Sequence, residues 1–156
     1  MMDNFTNDDE LIAAMNEIFN EKVPFHKVLG LKIKSITHDH VKLFFEMRDE
    51  LIGNYIRGTL HGGVISSVID VTAGLSAFMG IQEKMSGESL EKKLARFGRL
   101  GTIDLRVDYL RPGRGKEFIS TGYNLRTGNK VAVTRIEFHN DRNDLIAVGT
   151  GTYIVS

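Results

Sequence analysis

The chain has 156 residues, 20 Lys and Arg set against 20 Asp and Glu, and no cysteine. That length fits one domain able to bury most of the surface its unfolded chain exposes. The balanced charge offers no overall field to draw nucleic acid or an anionic membrane, and the lack of thiols excludes a disulfide, a thiol nucleophile and a thiolate metal site.

The acidic start, MMDNFTNDDELIAAMNEIF, has no positive region ahead of an apolar core. It does not read as a signal peptide, and the cytoplasm is the expected location. Residues 8–22 have helical spacing, with Leu11, Ile12, Met15, Ile18 and Phe19 on one stripe and Asn7 or Asp8 available as the cap. A single such helix, residues 1–24 as a unit, serves as a lid or packing helix. Without a second helix in turn geometry it makes no DNA reader. Pro24 breaks the chain, and residues 25–156 form the main domain. PFHKVLG reads as one more helical turn closed by Gly30. From Leu31 to Met47 two strands are predicted, since Val41, Leu43, Phe45 and Met47 alternate with Lys42, Phe44 and Glu46. The glycine-bearing segment DELIGNYIRG then reads as a loop.

A helix from about Gly62 to Ile81 is apolar nearly all round, so other elements must wrap it. It does not read as a membrane span, because Asp70 sits at its middle with Ser66, Ser67, Thr72 and Ser76, all costly in lipid. Glu83 to Arg99 reads as a mobile charged insert, and its Lys84, Lys92, Lys93, Arg96 and Arg99 are either a solvated connector or a patch for a phosphate-bearing ligand. Beyond it, Ile103, Leu105, Val107 and Tyr109 alternate with Thr102, Asp104, Arg106 and Asp108 up to Arg111-Pro112-Gly113. Three more strands follow, Phe118 to Leu125, Val131 to His139 and Leu145 to Val155, linked by short turns. Consecutive strands with short links predict an antiparallel meander, and one buried helix on its face makes a two-layer α+β domain.

Two features carry chemistry. His61-Gly62-Gly63 stands at the start of the long helix, where free amides and the positive end of the helix dipole polarise a carbonyl. A helix entry in need of flexible backbone accounts for the same tripeptide. Asp70 is the only charge between Gly62 and Ile81 and has no cationic neighbour on adjacent turns. An unpaired carboxylate is costly to bury, and beside a reacting carbonyl it acts as general base or as nucleophile. Nine residues separate His61 from Asp70, which along a helix is about 13 Å of rise and roughly half a turn. Within one chain the two groups therefore point apart, and a site using both takes one from each of two subunits.

The run Gly58-Thr59-Leu60-His61-Gly62-Gly63, the Asp70 that follows, and the strand from Thr102 to Pro112 resemble the hotdog-fold acyl-CoA thioesterases of the PaaI-like family. Within that family they resemble the bacterial YigI-type branch, whose acyl groups are medium or long. The resemblance implies a long central helix wrapped by a curved antiparallel sheet of five or six strands, in a homodimer with two sites that pairs again as a dimer of dimers. It implies hydrolysis of an acyl-CoA to free acid and coenzyme A, without metal or cofactor. In that reading Asp70 is the base or nucleophile, His61 and Gly62 belong to the other subunit, and the Gly62 amide polarises the carbonyl. Gly63 is a candidate for substrate binding, and Thr102 either holds the water or is a strand residue on a polar face. Asn54 is the candidate orienting asparagine, although it precedes His61 by seven residues and Tyr55 occupies the expected sixth place. Arg111, Arg114 and Lys130 are candidates for the phosphates of coenzyme A, or are solvated charges. Leu51, Ile52 and Ile56 are candidates for the acyl pocket or for the core. An enoyl-thioester hydratase or dehydratase shares the fold, but the Asp and His pair it needs in one loop is not seen. A non-catalytic acyl-CoA-binding module is the third reading.

Overall fold

The computed structural model describes residues 7–156, with side chains from residue 9 onward. The cap expected at Asn7 or Asp8 lies outside the described side chains. Among the described residues four α-helices, α1 (Asn7–Glu17), α2 (Pro24–Leu29), α3 (Gly62–Gln82) and α4 (Leu90–Phe97), accompany eight strands. The strands are β1 (Lys32–Ile36), β2 (His40–Glu46), β3 (Ile52–Asn54), β4 (Thr59–Leu60), β5 (Gly101–Tyr109), β6 (Glu117–Thr127), β7 (Val131–Asn140) and β8 (Leu145–Ile154).

Six strands form one antiparallel sheet in the order β1-β2-β6-β7-β8-β5. Only β6, β7 and β8 are the meander that short links predict. β5 pairs with β8 instead of its sequence neighbour β6. The link between β5 and β6 contains Pro112 and runs across the end of the sheet, where the Gly113 carbonyl accepts from the Leu60 amide at 3.0 Å, so no tight hairpin forms there. This crossing sets Thr102 opposite Tyr153 in register.

The buried half of α3, from Thr72 to Gln82, is apolar and small and lies on the sheet. In length and mean hydropathy, 1.7, the segment Gly62–Met85 is one helix that meets the requirement for crossing a membrane, but 72% of that stretch is buried inside the protein. Its close seat depends on missing side chains below it: a Cβ on Gly149 of β8 would come within 2.4 Å of Ile69, and one on Gly122 of β6 within 2.2 Å of the Ser76 hydroxyl. The hydroxyls of α3 are absorbed locally, with Ser76 donating to the Thr72 carbonyl at 2.8 Å and Thr72 meeting Ser120 at 2.7 Å. Phe45, Phe118 and Phe138 stack across the sheet with centroids 5.4 to 6.1 Å apart.

Three segments depart from the sequence reading. The first helix is α-helical only to Glu17, and Ile18–Lys22 is a π-helical turn that carries Phe19 into the core beside Leu11 and Met15. The expected loop at DELIGNYIRG contains the short β3–β4 pair. The expected mobile insert contains α4, capped by Ser89, which accepts from the Lys92 amide at 3.4 Å. Its charges are engaged: Lys84 donates to the Thr127 carbonyl, Lys92 pairs with Glu88 at 2.8 Å, Arg96 donates to the Val155 carbonyl, and Lys93 is buried. A charge-only reading missed α4 because the helix is amphipathic, with Leu90, Leu94 and Phe97 packed on the core while Lys92 stays exposed and Lys93 is drawn in with them.

Candidate active site

Asp70 stands half-buried near the middle of α3, where the helix turns from an open face to a covered one. Its Oδ1 accepts a hydrogen bond from the Tyr153 hydroxyl at 2.7 Å and another from the Thr102 hydroxyl at 3.1 Å. Both donors bind the same oxygen, and Oδ2 has no hydrogen-bond partner among the described residues. The carboxylate is thus held by two neutral donors from neighbouring strands instead of by a cation. Burial, reinforced by the hydrogen bond to Asp70, pushes the Tyr153 phenol far above its ordinary range. Tyr153 therefore remains a donor at any working pH.

Beside Asp70 opens a cleft of about 150 Å³. Asp70, Thr102 and Tyr153 form its polar end, and Phe19, Val71, Leu75, Phe97 and Leu100 its apolar end, with His26 among them. His26 is buried, its ring 4.0 Å from that of Phe19, and its Nδ1 donates to the Phe19 carbonyl at 3.2 Å. Burial lowers its pKa, with the Phe19 carbonyl opposing.

At the start of α3, His61 is the N-cap, and its Nδ1 accepts from the Gly63 amide at 2.8 Å. An amide can only donate, so Nδ1 is the unprotonated nitrogen and the ring proton sits on Nε2. The cap consumes the Gly63 amide. The Gly62 amide finds no acceptor among the described residues, while the Gly62 carbonyl accepts from the Tyr109 hydroxyl at 3.0 Å. Gly62 lines a second cleft of about 370 Å³ together with Tyr109, Arg111 and Gly113. No residue is common to this cleft and the one holding Asp70.

The other candidates fall in different places. Thr102 is brought to Asp70. Asn54 is exposed, and its Oδ1 accepts from the Arg57 amide at 3.1 Å, which closes the turn between β3 and β4. Arg111 donates to the Leu145 carbonyl at 2.8 Å beside the Gly62 cleft, and Arg114 is exposed nearby. Lys130 is exposed beyond the far end of β6. The eleven residues of that strand separate it from the two arginines by roughly 30 Å within one chain. Leu51 is core, Ile52 is half-buried and Ile56 is exposed, and none of the three lines the cleft at Asp70.

The Thioesterase superfamily matches residues 57–147, which include His61, Asp70 and Thr102. The chain belongs to the thioesterase superfamily. Its sequence is 41% identical over 150 residues to the medium/long-chain acyl-CoA thioesterase YigI of Escherichia coli, covering 94% of this chain and 95% of that one. A crystal structure of a candidate thioesterase from Syntrophus aciditrophicus superposes with a TM-score of 0.87 at 63% identity, covering 96% of this chain and 99% of its own. A variant of the phenylacetic acid degradation protein PaaI from Thermus thermophilus shares the fold with a TM-score of 0.67 at 23% identity, covering 86% of this chain and all of its own. The architecture, a long central helix packed on a six-stranded antiparallel sheet, is the hotdog fold of this superfamily.

Tyr153, Phe19 and His26 were not singled out from the sequence. A signal existed for Tyr153: it occupies an inward position of β8 between Gly151 and Val155, and a buried phenol requires a partner for its hydroxyl.

Proposed function

We propose that the protein hydrolyses medium- or long-chain acyl-CoA thioesters to free acid and coenzyme A, in the cytoplasm, at sites formed between two copies of the chain. The observation that carries this reading is the Asp70 carboxylate, anchored through one oxygen by Tyr153 and Thr102 at the mouth of an apolar cleft. The free Oδ2 takes a proton from water as the water adds to the thioester carbon, or itself adds to that carbon. The carbonyl oxygen, negative in the tetrahedral intermediate, is met by the Gly62 amide and the positive end of α3. Collapse of the intermediate breaks the carbon–sulfur bond and releases the coenzyme A thiolate, which takes up the proton that water gave to Asp70. Where Asp70 is the nucleophile, the acyl group is left on it as a mixed anhydride, which water then hydrolyses to the free acid.

Placing the two groups on different copies is supported by the separate clefts of a single chain and by the edge strand β5, on which Ile103 and Tyr109 stand about half exposed, at 53% each. In that arrangement Arg111 and Arg114 lie beside the carbonyl-polarising end and are the candidates for the phosphates of coenzyme A.

Two variants test both parts. Asp70→Asn removes the base while keeping the shape, and Gly62→Pro removes the amide at a position where proline suits a helix start. Each alone is expected to lower thiol release from acyl-CoA by at least about a hundredfold. Mixed by refolding or co-expression, they regain about a quarter of wild-type activity, since random pairing makes half the dimers heterodimers with one intact site of two. Full turnover by Asp70→Asn sinks the reaction, and a mixture with no recovery sinks the shared site.

A further inference from the structure

The cleft at Asp70 is small for the substrates proposed above. At about 150 Å³ it matches cavities that hold a single six-carbon ring. A medium or long acyl chain whose carbonyl sits at Asp70 overruns it.

A third cleft, of about 520 Å³, lies on the far side of the same wall, bounded by Leu31, Ile33 and Phe44 on its apolar side and by Asn20, Glu21, Lys27 and Lys32 at its polar rim. Phe19 and His26 line both clefts. Their rings pack face to face at a tilt of 33°, and the His26 Nδ1 bond to the Phe19 carbonyl ties α2 to the π-helical turn. Such single π-turns recur at functional positions, where one extra residue re-aims a side chain. Burial keeps His26 uncharged at neutral pH, as a wall against an alkyl chain requires.

We infer that Phe19 and His26 are a partition that sets acyl chain length. About six carbons fill the cleft up to the pair, and longer chains pass only when the rings give way, along Leu31, Ile33 and Phe44 into the space between the π-helical turn, α2 and the β1–β2 hairpin. This rests on the thioesterase reading and names its specificity-determining residues. Phe19 is the decisive member, because its ring is 2% exposed and fills the passage without a polar group that a chain would strand.

The experiment compares hexanoyl-CoA with myristoyl-CoA in wild type, Phe19→Ala, Phe19→Leu and Phe19→Trp. Turnover is read as kcat/KM from thiol release, and binding is read by calorimetry in the Asp70→Asn background, where the residual hydrolysis is too slow to compete with binding. Opening the partition raises the myristoyl to hexanoyl ratio about tenfold in Phe19→Ala and in the same direction in Phe19→Leu, the gain of burying about two further methylenes. Phe19→Trp lowers the ratio. Phe19→Leu keeps an apolar side chain in the core and decides the matter if the alanine variant does not fold. A ratio within about twofold of wild type in the folded Phe19 variants overturns the partition, whichever readout is used. A wild-type protein that binds both acyl-CoAs with the expected Phe19 dependence but cleaves neither overturns the hydrolase reading and leaves the partition standing.

Discussion

Replacing Tyr153 by Phe removes one oxygen and leaves the ring that fills the space above Gly151 and beside Gly74. The hydroxyl lost is the shorter of the two donors to Asp70 Oδ1, at 2.7 Å against 3.1 Å for Thr102. A hydrogen bond to a charged group contributes about 1.5–3 kcal/mol. If the bond serves to aim Oδ2, that energy appears in the barrier, and about 1.4 kcal/mol per tenfold converts it to a fall of roughly ten- to a hundredfold in kcat. The assay is steady-state thiol release from octanoyl-CoA, run also in an Asp70→Asn background. Tyr153 acts through Asp70, so in that background the same replacement should cost less than about twofold, a strongly non-additive cycle. A Tyr153→Phe enzyme with near-normal kcat, or one with the same loss whether or not the carboxylate is present, would refute the positioning role.

Gly62→Pro tests the amide without removing bulk. His61 precedes it with φ −65° and ψ 135°, a conformation that a following proline accepts. A Cβ at Gly62 meets nothing nearer than the Tyr109 ring at 3.5 Å. The variant should melt within a few degrees of wild type and lose about 10²–10³-fold in kcat, as removal of one oxyanion donor does elsewhere; unchanged kcat would assign the polarising role to another group. His26 gives the protein a pH dependence of stability. Burial holds its pKa below the ordinary 6.5, so on acidification the unfolded chain takes up the proton first. The stabilisation is complete above about pH 6.5 and is lost as the pH falls below it toward the folded value. Thermal melts across that window should show wild type losing more than His26→Asn, which keeps a donor for the Phe19 carbonyl; parallel curves would show that His26 contributes none of the pH dependence.

Much of the fold could be read from local pattern. The length and place of α3 follow from an unbroken small and apolar run, and Asp70 drew attention as the one charge in it. Alternation located every long strand. Strand order was less legible, since spacing alone put β5 beside β6, and only the passage of Pro112 and Gly113 over the sheet end sends it to β8. What anchors Asp70 was invisible for the same reason: Tyr153 lies 83 residues away in sequence, and Thr102 reaches the carboxylate only through that pairing. Phe19 and His26 read as core stripe and helix turn, which they are, yet they also face the cleft. Single-residue patterns tell burial from exposure but do not tell which cavity a buried ring adjoins.

The two ends of the Asp70 cleft have different origins. Its polar end is set by the central helix and adjoining strands, seated so closely over Gly122 and Gly149 that the helix has little room to slide. Phe19 and His26 come from the opening segment and Phe97 from α4, pieces laid around that frame. Asp70 and its hydroxyl anchors therefore rest on a different part of the fold from Phe19, His26 and Phe97. Exchanging those outer pieces between related chains should retune what is accepted while the acid and its two hydroxyl anchors stay as they are.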